Sequence, residues 1–166
     1  MTVLIPNILS VAGVDPSGGA GILADVKTMS ALGGYGCAVV AALTAQNTQA
    51  VTHIHPVPAD FVAAQLDTLF KDVRIDATKI GMLGQVPVIR VVAEKLSTYR
   101  CEHIVLDPVM VAKSGDMLLE KNAVGELREA LLPLATMLTP NLPEGGVLTE
   151  RRPPENLAEM RKMAEI

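Results

Sequence analysis

The sequence predicts an α/β protein, with a mostly parallel central sheet flanked by helices on both faces. Three observations carry that expectation. Strand-length apolar runs alternate with helix-period apolar patterns along nearly the whole chain, the order that crossover-connected parallel strands require. No internal repeat or low-complexity linker interrupts the alternation. Of the 166 residues, 49% are apolar and 19% charged, which suits one domain with its own core and not a disordered chain.

The elements follow in order. Ile8, Leu9 and Val11 form a short apolar run ended by Gly13, a buried strand. After the turn GVDPSGGAG, a helix opens near Gly21 and runs through Ile22, Val26 and Met29 to the stop at Gly33 and Gly34. CAVVAALTAQN is a second strand, apolar enough to be covered on both faces. Between Gln49 and Pro58 the rhythm breaks, and VTHIHPV reads as a small extra edge strand. Val62, Leu66, Leu69, Phe70 and Val73 share one helical face. TKIGML is the next strand, and Ile89, Val92, Ala93 and Leu96 mark the helix after it. HIVLDPVM is a strand whose apolar run stops at Asp107 and Pro108. Val124, Leu127 and Leu131 mark a helix, ATMLTPN a fifth main strand, and Leu157, Met160 and Ala164 a last helix.

Composition excludes several function classes. Eighteen acidic against fourteen basic residues give a net charge of -4, and with no Trp, two Tyr and two Phe the chain lacks both the basic excess and the stacking platforms of a nucleic-acid binder. The longest apolar run, around Ala38 to Leu43, is far below the roughly 18 residues a membrane span needs. MTVLIPNILS has no basic start, so no secretory signal is expected. Cys37 and Cys101 stand far apart, with no second Cys near either. That excludes a disulfide framework and a CxxC zinc site, and fits a reducing cytoplasm.

In open α/β sheets, ligands bind beyond the carboxyl ends of the strands. Here those ends fall at Gly13–Asp15, Gln46–Asn47, Gly81–Met82, Asp107–Val109 and Pro140–Asn141, so glycines, amides and carboxylates gather on one rim. Gly18, Gly19 and Gly21 lie between strand and helix. They form either a tight turn needing positive φ or a place where backbone N–H groups approach a ligand. The turn is neither a Walker A sequence nor a dinucleotide fingerprint. Gln46 offers a donor and an acceptor side by side, which suits the edge of an aminopyrimidine; the alternative is an amide that caps its own loop. Asp25, in the first turn or two of its helix, reads as a favourable charge near the helix N-terminus. Asp107, the KSGD run from Lys113 to Asp116, and Asn141 with Glu144 supply hard oxygens and a positive charge; together they are the parts of a magnesium–phosphate site, and taken singly each reads as a solvated loop residue. His53 and His55 have strand spacing for a shared face, but without a third ligand nearby they read as surface residues. Neither cysteine has a neighbour that would activate it, so both read as structural.

Taken together, SVAGVDPSGGAGILADVKTMSALGGYG, AALTAQNT, DVRIDATKIGML, VLDPVMVAKSGD and LTPNLPE closely resemble the hydroxymethylpyrimidine/phosphomethylpyrimidine kinases of thiamine biosynthesis, in the ribokinase-like superfamily. The blocks run in register from about residue 7 to residue 144. The resemblance implies a three-layer ribokinase-like fold and two successive phosphorylations that use ATP and Mg²⁺, first of 4-amino-5-hydroxymethyl-2-methylpyrimidine and then of its monophosphate. It implies a substrate site of Gln46, Asp25, Gly13, Met82 and Val109. The phosphate side would hold Lys113, Asp107 and Asn141, with Asp107 and Glu144 toward the metal. A cytoplasmic homodimer is part of the same expectation.

The family pattern continues for roughly another hundred residues, in keeping with ordinary domain sizes. It includes a Gly-Thr-Gly-Cys motif that forms the anion hole and carries the proposed base. That motif is absent from these 166 residues, and GGVLTERRPPENL departs from the apolar continuation of the family. Residues 1–166 are therefore expected to be the N-terminal part of a single kinase domain, without the catalytic base. Phosphoryl transfer rests on positioning and charge stabilisation, so this length alone is expected to transfer phosphate poorly. Two other readings remain: a non-catalytic pyrimidine-binding module, and a pyridoxal or pyridoxine kinase of the same superfamily.

Overall fold

The computed structural model describes residues 4–110, 119 and 122–166. The chain begins with strand β1 (Asn7–Val14), helix α1 (Gly21–Ala31), the long strand β2 (Tyr35–Gln46) and the short strand β3 (Val51–Pro56). Helix α2 (Ala59–Asp72), strand β4 (Ala77–Ile80), helix α3 (Val86–Thr98) and strand β5 (Ile104–Leu106) follow. One helical turn, α4 (Ala123–Glu126), passes into a wider π turn and a 3-10 turn that ends at Leu134. Strand β6 (Met137–Leu138) and helices α5 (Leu142–Thr149) and α6 (Leu157–Ala164) complete the described chain.

Six strands form one sheet in the order β3-β2-β1-β4-β5-β6. Every pairing is parallel except β2 with β3, so the VTHIHPV segment is the antiparallel edge strand that its broken rhythm predicts. The main strands are shorter at their ends than their apolar runs. β5 stops before Asp107 and Pro108, and β6 stops before Pro140, because proline has no N–H to give to a ladder.

Alternation along β1 separates the layers. Leu9 and Val11 are fully buried in the main core with Val62 and Leu66 of α2 and Val88, Ile89 and Val92 of α3. Ser10 faces the opposite way and donates its hydroxyl to Asp25 of α1 at 2.7 Å. Helices therefore cover both faces, and the layer order is helix, sheet, helix. The periodic residues of α2 and α3 are the ones buried, as expected of amphipathic helices. Lys95 of α3 and Tyr99, the residue that ends it, both reach Asp67 of α2, at 2.8 and 2.9 Å. Together they hold its carboxyl below the usual aspartate range.

Two local features differ from the sequence reading. Val124, Leu127 and Leu131 do not lie on one regular helix, since the π turn begins at Leu127. Residues 142–149 form a helix, although Gly145 and Gly146 argue against one. Gly146 is needed there for close packing against backbone, and Gly145 lies under the movable end of the Met163 side chain. A Cβ on Gly146 would stand 2.9 Å from the Arg151 carbonyl oxygen, and one on Gly145 2.9 Å from Met163 Sδ.

Candidate active site

The strand order reverses between β1 and β4. From β1 the chain moves outward to β2 and β3, and from β4 it moves the other way to β5 and β6. Such a switch opens a crevice beyond the carboxyl ends of the two central strands. A cavity of about 290 Å³ lies there, bordered by Gly13 at the end of β1, Gln46 at the end of β2, Met82 after β4, and Asp107 and Val109 after β5. The glycine turn and Asp25 border it from the α1 side. Four of the five predicted strand tips therefore meet, and Gln46 shares one cleft with the glycine turn.

The turn owes its shape to Asp15, which is only 4% exposed. Its carboxylate accepts the Ser17 N–H at 2.8 Å, the Ser17 hydroxyl at 2.7 Å and the Gly19 N–H at 3.1 Å, with a further backbone bond from Ala20. Burial pushes the Asp15 carboxyl up, but these donors outweigh it and hold the group below its ordinary value. The sequence reading left the turn's amides open to a ligand; those of Ser17, Gly19 and Ala20 go to Asp15. Lys27 closes the turn from outside by donating to the Gly18 carbonyl. Gly18 and Gly21 have φ of 72° and 58°, and a Cβ on Gly21 would stand 2.2 Å from the Gly13 carbonyl oxygen. Only glycine lets α1 begin this close to β1.

Gln46 is oriented by Thr44. The Thr44 hydroxyl lies 2.8 Å from the Val14 carbonyl oxygen and 3.1 Å from Gln46 Oε1. A hydroxyl has one proton, and the carbonyl can only accept, so that proton belongs to Val14. The amide then meets Thr44 best through its NH₂, with its oxygen and second N–H left for the cleft, the two ends of an amide being interchangeable on shape alone. Met82 packs closely on the end of β1, where a Cβ on Gly13 would lie 3.1 Å from Met82 Sδ.

Lys79 of β4 is a site residue the sequence reading passed over. Its Nζ lies 3.2 Å from Asp25 Oδ2 and 3.4 Å from Asp107 Oδ2, and it borders the same cavity. The available signal was a lysine inside an otherwise apolar strand, where a charge needs a partner.

The fifth tip lies elsewhere. Asn141 caps α5 by accepting the Glu144 N–H at 2.9 Å, and Glu144 answers by accepting the Asn141 N–H at 2.9 Å, a reciprocal capping box. The other Glu144 oxygen accepts the Met110 N–H at 3.3 Å, tying α5 to the loop after β5. Neither residue borders the cleft at the switch; Asn141 instead borders a more apolar cavity of about 560 Å³ between β6, α5 and α6. Lys113 and the rest of the KSGD run lie outside the described residues.

Magnesium needs hard oxygens and keeps much of its water. Asp107, partly exposed with one oxygen toward Lys79, fits the part of a single carboxylate ligand. Glu144 fits less well, since both its oxygens already accept backbone N–H bonds. Among the described residues, no three His, Cys, Asp or Glu side chains converge as a metal site. His53 and His55 are exposed on β3. Burial pushes the thiols of Cys37 and Cys101 up, away from the reactive thiolate. Among the described residues, no helix is long and apolar enough to cross a membrane.

Comparison with known proteins decides the family. The model of the phosphomethylpyrimidine kinase family matches residues 15–166. The chain belongs to the phosphomethylpyrimidine kinase family. A hydroxymethylpyrimidine/phosphomethylpyrimidine kinase of Escherichia coli is 57% identical over 144 residues, 87% of this chain and 54% of that protein. The chain thus spans about half the length of that curated relative. Among solved structures, the phosphomethylpyrimidine kinase of Clostridium difficile superposes with a TM-score of 0.90 at 40% identity, over 96% of this chain and 69% of that one. The ADP complex of Bacillus subtilis pyridoxal kinase superposes with a TM-score of 0.87 at 34% identity, over 97% and 61%. The fold of the family is the ribokinase-like one read from the sequence.

Proposed function

We propose that this chain carries the pyrimidine-binding part of a kinase that uses ATP to phosphorylate 4-amino-5-hydroxymethyl-2-methylpyrimidine and then its monophosphate, in thiamine biosynthesis. The observation that carries the reading is Gln46, its amide oriented by Thr44 at the rim of the cleft at the switch point. A free amide oxygen and N–H match the amino group and ring nitrogen of an aminopyrimidine. The cleft volume lies at the small end of ligand sites and suits a single ring.

In this reading Gly13, Met82 and Val109 line the ring, and Asp25 is its second polar contact. Asp107 takes the phosphate side, while Asn141, which caps α5, stands away from the cleft. Asp107 would hold Mg²⁺, whose charge lowers the cost of bringing phosphate oxygens together. Glu144 acts through the capping box and the Met110 loop. The reading further assigns a cytoplasmic homodimer, and treats residues 1–166 as the N-terminal part of a single kinase domain. Phosphate transfer therefore belongs to a protein of the relatives' length, and ring binding is the activity to seek in this chain.

A pyridoxal kinase is the second reading, favoured by the Bacillus subtilis neighbour. The higher identity to the pyrimidine kinase supports the first. Calorimetric titration of the hydroxymethyl aminopyrimidine into the chain, with pyridoxal as competitor, tests both. Binding is expected, with Gln46→Ala weakening it about tenfold or more, the loss of one or two neutral hydrogen bonds. Tighter binding of pyridoxal than of the pyrimidine would favour the second reading, and unchanged affinity in Gln46→Ala would remove the first.

A further inference from the structure

Lys79 stands in the middle of a central strand, between Thr78 and Ile80, which are 1% and 0% exposed. Its own side chain is 24% exposed and reaches up to the cleft, where it is the only cation among the described lining residues. Three carboxylates border the same cleft. Asp15 is turned into the glycine turn and held there by its own donors. Asp25 and Asp107 remain. They come from α1 and from the loop after β5, and the Lys79 ammonium lies within ion-pair distance of both. Ser10, paired in register with Lys79 across β1 and β4, fixes the same Asp25 oxygen from the strand side.

Resting on the proposed pyrimidine reading, we infer that Lys79 is a positioning residue that sets the charge balance of the cleft. One ammonium joins the ring-side carboxylate to the phosphate-side carboxylate and reduces two negative charges to one. Without it, Asp25 and Asp107 become a like-charge pair in a partly desolvated cavity. Such a pair repels itself, draws in water or counterions, and no longer presents Asp25 to an uncharged ring. The role requires a cation at this place more than the shape of lysine.

The test compares affinity for the hydroxymethyl aminopyrimidine, by calorimetry, in the wild-type chain, Lys79→Met, Lys79→Arg and the double variant Lys79→Met with Asp107→Asn. Melting temperature is followed in each. Lys79→Met is expected to bind about tenfold or more weakly. Lys79→Arg, which keeps the charge, and the double variant, which removes one carboxylate with the cation, are expected to recover most of that loss. A side chain needed only for packing would not be rescued by altering Asp107. Wild-type affinity in Lys79→Met, or a folded Lys79→Met rescued by neither change, overturns the inference while ring binding and its loss in Gln46→Ala leave the functional reading intact. A wild-type chain that binds no aminopyrimidine overturns both. If Lys79→Met does not fold, folding and binding by the double variant support the inference, and failure of the double variant to fold overturns it.

Discussion

Asp15 shows how a single carboxylate organises a loop. Its oxygens collect donors from Ser17, Gly19 and Ala20, so the turn carries its own anion just ahead of α1, whose N-terminus has no side-chain cap. Asp15→Asn replaces one strong acceptor by a donor that faces other donors. It is expected to cost about 1–3 kcal/mol in denaturant melts. The pH dependence follows from the lowered carboxyl. Since the folded-state pKa lies below the ordinary 3.8, the stabilisation is complete above about pH 4 and is lost as the pH falls through the folded-state value. The stability gap between wild type and Asp15→Asn should therefore be constant at neutral pH and close in acid. A gap that persists unchanged at pH 2 would contradict this account of the turn. The sequence shows the three glycines, but it does not show which anion the turn would cradle. An aspartate three residues before Gly18 served the turn from within.

At the scale of elements, β2 depends on a side chain that acts as a piece of strand. Its pairing with β1 skips one residue, since Ala12 faces Val40 and Gly13 faces Ala42, while β3 begins to pair only at Ala42. Gln65 of α2 serves Val40 at that point, donating to its carbonyl at 3.0 Å and accepting its N–H at 3.0 Å. Gln65→Leu should cost about 1–3 kcal/mol and speed hydrogen exchange at the Val40 amide more than at Leu9 or Val11. Unchanged exchange at Val40 would show that the amide contributes nothing to the strand. Most elements were legible because apolar periodicity marks burial directly, as Ile89, Val92, Ala93 and Leu96 do for α3. Helix α5 was obscured by two glycines, whose packing against Arg151 and Met163 is a long-range fact no local pattern reveals. The spacing from Asn141 to Glu144 was visible, but it was assigned to a magnesium–phosphate site and its helix-capping meaning was missed.

For the whole molecule, the decisive feature is the sheet order. Strand tips can be read from a sequence, and all five were. Which tips converge depends on the placement of β4 beside β1, and this brings Gly13, Gln46, Met82 and Asp107 together while leaving Asn141 at the far side. Lys79 escaped notice for the same reason: its importance comes from two carboxylates distant in the chain. The central claim is that the switch-point cleft holds an aminopyrimidine ring. Amide NMR spectra of the chain, titrated with the hydroxymethyl aminopyrimidine, test it most directly. The account predicts shifts at Gly13, Gly19 to Gly21, Met82 and Val109 and at the Gln46 side-chain amide, with residues 157–164 of α6 unmoved. Shifts centred on the cavity between β6, α5 and α6, with Gln46 silent, would contradict it.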